Sequence, residues 1–314
     1  MCEGSTLSIP AIEPSHIYKK LSKVLKFSEI IWYLNNVLKI VDMSLHTYRY
    51  RYKVLTDPAK HVYVIVFEDE SGNVVFVDIT SCEDPRPYLE HLALPSTVIE
   101  KYYDLWKRAR DYVETMSRTI AFKPLKPFDM RDLEIAMAAV KEVFPRFIIK
   151  ELEPMEMPSE AYDPGRNQYR AEIVLDALEK VKRDISCDFL IGFTSADIYS
   201  GNLNFVFSLQ NKPIEPSIAV FSTARLHNSF YGAEEVPEVT RERIRKQLLH
   251  IVYHHLGLPD CPNSRCVMAY VNSVMDVDSK TMDLCSLCKA LLIKNYMYKI
   301  LVGESRVLGE QYIM

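Results

Sequence analysis

The stretch from His250 to Cys261 reads HIVYHHLGLPDC. His250 and His254 stand four residues apart, which places both imidazoles on one face of a helix. Two imidazoles one turn apart can share a zinc ion. Gly257 lets the chain turn sharply at the helix end, and Asp260 returns after it as a candidate third ligand. The residue after the first histidine is Ile251, an aliphatic side chain that can neither accept a proton nor hold a water molecule. His255 and Tyr253 are expected to face away from the ligand pair, so neither replaces a base at that position.

The spacing is that of the long zincin pattern H-E-x-x-H-x-x-G-x-x-H, with two departures: Ile251 stands at the glutamate and Asp260 at the third histidine. Downstream, Cys261 and Cys266 form one pair and Cys285 and Cys288 another. Two thiolate pairs on short loops can close on one tetrahedral zinc, saturating it and leaving no position open for chemistry. The other cysteines, Cys2, Cys82 and Cys187, have no partner at ligand spacing.

HIVYHHLGLPDCPNSRCVM followed by CSLC resembles the archaemetzincin pattern, which couples a zincin helix to a four-cysteine zinc site. AYDPGRNQY (161–169), LNFVF (203–207) and VFSTARL (220–226) resemble segments of the same family, and the likeness spans about residues 125–300. The resemblance implies a zinc-dependent aminopeptidase-like enzyme on a metzincin-like fold, with Met268 as the methionine of the Met-turn and a structural zinc on the four cysteines. His250, His254 and Asp260 are chemically competent for a second zinc, the alternative being that the two histidines are ordinary helix residues without metal; with Ile251 in place of glutamate the general base of that chemistry is absent.

The rest of the chain frames that site. Its 314 residues suggest two domains, and 48% hydrophobic with 25% charged residues is ordinary for a globular protein. A formal charge of −4 gives no bulk signature of a nucleic-acid binder. No apolar run is long enough to span a membrane, and the first residues read as no signal peptide, so a cytoplasmic location is expected. Seven cysteines, four of them crowded near the end, suit metal binding in a reducing compartment. The nine glycines form no phosphate-cradling loop, which argues against a nucleotide-driven machine.

Periodicity predicts an α+β domain over residues 1–122: amphipathic helix over 14–42, a strand at 46–55, a hairpin of 62–69 and 74–80 turning at Gly72, and a helix over 96–118. In HTYRYRYK, Tyr48, Tyr50 and Tyr52 share one strand face while Arg49, Arg51 and Lys53 share the other, a candidate grip on single-stranded nucleic acid. AFKPLKPFD (121–129) reads as a short extended entry into a second domain, 123–314. That domain orders as a helix (130–143), a strand (146–152), a helix (169–184), strands at 187–193, 203–209 and 217–223, and the motif helix at 237–256: an α/β sandwich with a mixed sheet. LNFVFSL (203–209) is a candidate edge strand for holding an extended peptide.

Three functions fit. The first is an inactive pseudo-peptidase acting as a binding or scaffold protein for a protein or peptide partner. The second is a divergent zinc peptidase with a His/His/Asp site. The third is a nucleic-acid or ribonucleoprotein factor working through the N-terminal domain.

Overall fold

A computed structural model describes residues 51–57, 62–68, 74–79, 84–90, 96–213 and 215–308. The helix expected over 14–42, Arg49, Tyr48, Tyr50, the Gly72 turn, Cys2 and Cys82 lie outside them. The chain divides into two compact units, one of residues 1–114, 261–263 and 284–314, the other of 115–260 and 264–283.

In the first unit, strands β1 (Arg51–Asp57), β2 (Val62–Glu68) and β3 (Val74–Ile79) form an antiparallel sheet in that order. The expected hairpin is therefore present. Arg51 pairs with Glu68 and Lys53 with Val66 in its register. A helix follows over Ser96–Thr115 and a last one runs over Ser286–Leu308. Tyr112 of the former packs on Tyr296 of the latter, ring centroids 5.0 Å apart. Buried Lys294 lies over the Tyr102 ring and bonds its hydroxyl.

The second unit is built on a mixed sheet. Strand β4 (Thr119–Lys126) is central and runs parallel to β5 (Ile148–Glu151) and β6 (Met155–Glu156) on one side. A small separate sheet holds β7 (Tyr162–Asp163), β8 (Gln168–Arg170) and β10 (Ile198–Tyr199). On the other side of β4 come β9 (Phe189–Thr194), β12 (Ile218–Ser222) and the antiparallel edge strand β11 (Ser208–Gln210). AFKPLKPFD is extended, as read, and most of it is the central strand. Only the end of LNFVFSL is a strand: residues 203–207 are irregular, and Arg166 Nη2 donates to the carbonyls of Leu203 and Asn204 there, taking them out of any ladder.

Central parallel strands are covered on both faces, and every residue of β9 and β12 is buried. Ala121, Leu125, Leu190 and Val220 share one face of the sheet, against Val174, Leu175 and Leu178 of the helix Ala171–Asp184. Gly192 allows that approach: a Cβ there would lie 2.5 Å from Leu178 Cδ1. Phe189, Ile191 and Phe193 alternate onto the opposite face. There Phe189 stacks on His255 of the motif helix, Pro237–His255, at 4.6 Å and 4°. Beside it lies the helix Met130–Val143, capped by Asp129, whose carboxylate accepts from the amides of Arg131 and Asp132. The result is helix, sheet, helices: the expected α/β sandwich with a mixed sheet.

The turn before the motif helix is pinned by His227, whose Nε2 lies 2.7 Å from Asp132 Oδ2 and whose Nδ1 lies 3.4 Å from Glu235 Oε1. The Asp132 hydrogen bond, aided by both negative charges, raises the His227 pKa against the opposing effect of burial.

Candidate metal centre

The motif helix starts with Pro237 in its first turn. Its apolar residues Ile244, Leu248, Leu249, Ile251 and Val252 are buried, and so are Arg243, Gln247 and His254, with His250 nearly so. Positions 243, 247, 250 and 254 fall at helical spacing on one face, giving a polar stripe inside the molecule. Buried polar groups must be paired, and each of these is. Arg243 makes a two-pronged contact with Asp278, Nε to Oδ1 at 2.7 Å and Nη2 to Oδ2 at 2.8 Å. Gln247 Oε1 accepts from Lys280 Nζ at 2.6 Å. His250 Nδ1 lies 3.1 Å from Val267 O and His254 Nδ1 lies 2.7 Å from Leu258 O.

The helix end explains the last contact. Gly257 has φ 93°, in the left-handed region. Gly257 N donates to His254 O and Leu258 N to Tyr253 O, at 2.9 and 3.0 Å. This closure reverses the chain, sets Leu258 O against His254 and brings Asp260 back to the histidines.

Carbonyl oxygens only accept, so both Nδ1 atoms carry the proton and both Nε2 atoms present lone pairs. Those two Nε2 atoms are 2.9 Å apart, and Asp260 Oδ1 lies 3.5 Å from the first and 3.4 Å from the second. Three electron-rich atoms converging in this way repel one another unless a cation sits among them. Zinc bonded at about 2.0–2.1 Å in tetrahedral geometry sets its donors about 3.3 Å apart, which is the scale of this set. Burial first, then His254 and Lys280, hold the His250 pKa well below its usual value, favouring the neutral form that ligates metal. Asp260 keeps 48% of its side chain exposed, so the set is open on one side.

Ile251 is fully buried. Tyr253 packs its ring edge-on against Phe144 at 5.4 Å, and His255 turns its Nδ1 to Pro216 O at 2.8 Å besides stacking on Phe189. Both are engaged elsewhere, as the helical spacing implied. Met268 is fully buried in the turn after Cys266, where Ala269 N donates to Cys266 O.

Cys261, Cys266, Cys285 and Cys288 form a second group able to hold a metal ion. The sulfurs of Cys261 and Cys285 are 3.7 Å apart, as neighbouring ligands of one zinc are. Cys187 belongs to neither donor set. Arg51 and Lys53 lie on β1.

Residues 109–294 match the model of peptidase family M54. The chain belongs to peptidase family M54. Its relatives in the family include the archaemetzincin of Pyrococcus furiosus, 37% identical over 135 residues that make up 43% of this chain and 69% of that protein. The archaemetzincin of Methanopyrus kandleri is 38% identical over 140 residues, 45% of this chain and 74% of that one. The crystal structure of the Methanopyrus kandleri protein superposes with a TM-score of 0.50 at 31% identity, covering 57% of this chain and 95% of that one. M54 membership makes this an archaemetzincin-like protein of the zinc metallopeptidase type, and both donor sets fall inside the matched region.

Three residues around the M54 site, Lys280, Gln247 and Arg243, escape the sequence. Lys280 supports Val267 O at 3.1 Å as well as Gln247, and burial above all drives its pKa down to about 7. A lone lysine carries no signal that it is buried. Gln247 and Arg243 carry a signal that could have found them, because polar residues three and then four positions earlier than His250 continue the ligand face.

Proposed function

We propose that this protein is a metal-holding member of its family that has lost peptide hydrolysis and keeps the scaffold for binding a peptide or protein. The observation that carries the reading is the pairing of a converged His250, His254 and Asp260 set with a fully buried isoleucine at the base position. A zinc ion on those three ligands and an open fourth position would supply Lewis acidity and an activated water. Hydrolysis also needs a group to take and pass a proton, a contribution of about 10²–10⁴ in rate, and Ile251 offers none.

Binding is supported separately by the sheet. β11 is its antiparallel outer strand, and an outer strand offers backbone groups to an extended peptide. The four cysteines suit a structural zinc that holds the fold without taking part in chemistry.

The test is zinc content together with peptide turnover, on protein purified without chelator. Two zinc ions per chain and no hydrolysis above a metal-free control are expected. Hydrolysis that disappears in His254→Ala would favour a second reading, a divergent His/His/Asp peptidase with its base outside the helix. That reading is supported by the closeness of the donor set to zinc geometry.

A further inference from the structure

We propose that Lys280 is the positioning residue of the His250 arm of the metal centre, acting through the carbonyl of Val267. The inference rests on the reading that His250, His254 and Asp260 take a metal ion.

Lys280 caps the short helix Val274–Ser279 and is 2% exposed. A lysine placed there to be solvated would reach water, but this one is turned inward. Its Nζ donates to two acceptors only one step from the centre, Gln247 Oε1 at 2.6 Å and Val267 O at 3.1 Å. Val267 O is also the acceptor for His250 Nδ1. One carbonyl therefore serves the lysine and the histidine, and the amide of Gln247 ties the same lysine back to the helix that carries His250.

The surroundings fix where Lys280 stands. Arg243 grips Asp278 from the motif helix, and Lys246 Nζ donates to the carbonyls of Val277 and Asp278. On the far side, Thr281 N donates to Arg265 O and Val267 N to Asp283 O, so residues 265–267 and 281–283 form a short paired ribbon. The ribbon gives the Val267 carbonyl its place, and Lys280 sets its direction. A carbonyl oxygen has two lone pairs. With one taken by Lys280, the other is aimed at His250, which keeps the proton on Nδ1 and presents the Nε2 lone pair to the metal. Outer partners of this kind orient metal-bound histidines and raise their basicity.

The opposite effect is also physical. A cation near a metal site repels the metal, so a lysine without a positioning role would weaken zinc binding and its removal would tighten it. The sign of the change therefore decides.

The experiment uses the full chain, with Lys280→Met, which keeps the stem but removes the donor, and Lys280→Gln, which keeps an N–H for Val267 O. Zinc affinity is measured by chelator competition, following the weaker of two binding events. The tautomer of His250 is read from histidine ¹⁵N shifts in the zinc-loaded protein. Lys280→Met is expected to bind zinc at the weaker site about 10–100-fold less tightly, with the tighter event unchanged and the Nδ1–H signature of His250 lost or mixed. Lys280→Gln is expected to recover most of the affinity and the signature. Unchanged or tighter binding in Lys280→Met overturns the proposal, as does equal loss in both variants. If Lys280→Met does not fold, Lys280→Gln alone decides: retained Nδ1–H signature and affinity support the role, and their loss in a folded protein sinks it. If the wild-type chain takes a single zinc and His254→Ala leaves it in place, the underlying metal reading fails instead.

Discussion

Cys261, Cys266 and Cys288 are buried, with 5, 2 and 0% exposure, whereas Asp260 keeps 48% of its side chain in solvent. One donor set is soft, four-membered and closed. The other mixes two imidazoles with a carboxylate and is open on one side. A closed sulfur set spends its whole coordination sphere on the protein, so its metal can contribute only to folding. An open set leaves a position for a ligand or water. Ile251, the residue after His250, belongs to neither set. That position is core, and both donor sets are in place beside it.

The comparison can be broken most severely at the sulfur set. Cys288→Ser is expected to lose one zinc per chain and to lower the melting temperature more than any other change here, since structural zinc contributes on the order of 10 kcal/mol to small zinc modules. An unchanged melting temperature with full zinc content would remove the structural half of the contrast. His254→Ala strikes the open set. It should release only the other zinc and cost about 1–3 kcal/mol through the lost hydrogen bond to Leu258 O and the space left behind, as read by metal analysis and denaturant titration.

Ile251→Glu sharpens the contrast rather than breaking it. If the absent base is the obstacle, chelator-sensitive peptide hydrolysis should appear, rising by about 10²-fold or more over the wild-type background. Because the position is fully buried, the variant should also lose stability by about 1–3 kcal/mol. A zinc-loaded Ile251→Glu protein that hydrolyses nothing would show that something besides the base has been lost.

The smallest effect is expected at His227, which belongs to neither set. Its folded pKa is raised, first by the Asp132 hydrogen bond and further by the charges of Asp132 and Glu235. A raised histidine binds its proton more tightly in the folded state. The stability it adds is fully present below the unfolded value of about 6.5 and is lost as pH rises through the folded value. The melting difference between wild type and His227→Gln should therefore be larger near about pH 5.5 than near about pH 8.5. An equal difference at both would mean the contact contributes no charge-dependent stability.

Both donor sets were legible in the chain. Histidines four apart, the glycine and aspartate that follow, and the cysteine pairs depend on local spacing, and helix geometry and short loops turn local spacing directly into proximity. The buried strands of the sheet were legible too, because β9 and β12 are nearly continuous apolar runs. LNFVFSL shows where that reasoning stops. Its pattern suits a strand, yet Arg166, distant in sequence, claims the carbonyls of Leu203 and Asn204, and the strand begins later at Ser208.

By itself, then, the sequence determined which atoms could ligate a metal and that an isoleucine, not a carboxylate, follows His250. The tertiary structure decided how those atoms face one another. Val267 O and Leu258 O choose the proton position on each imidazole, Gly257 returns Asp260 to within 3.5 Å of both, and a lysine thirty residues from His250 comes to rest behind the carbonyl that holds it. These are contacts between a helix and the loops folded over it. They exist only once burial has forced each polar group to find its partner, and no local pattern encodes which partner that will be.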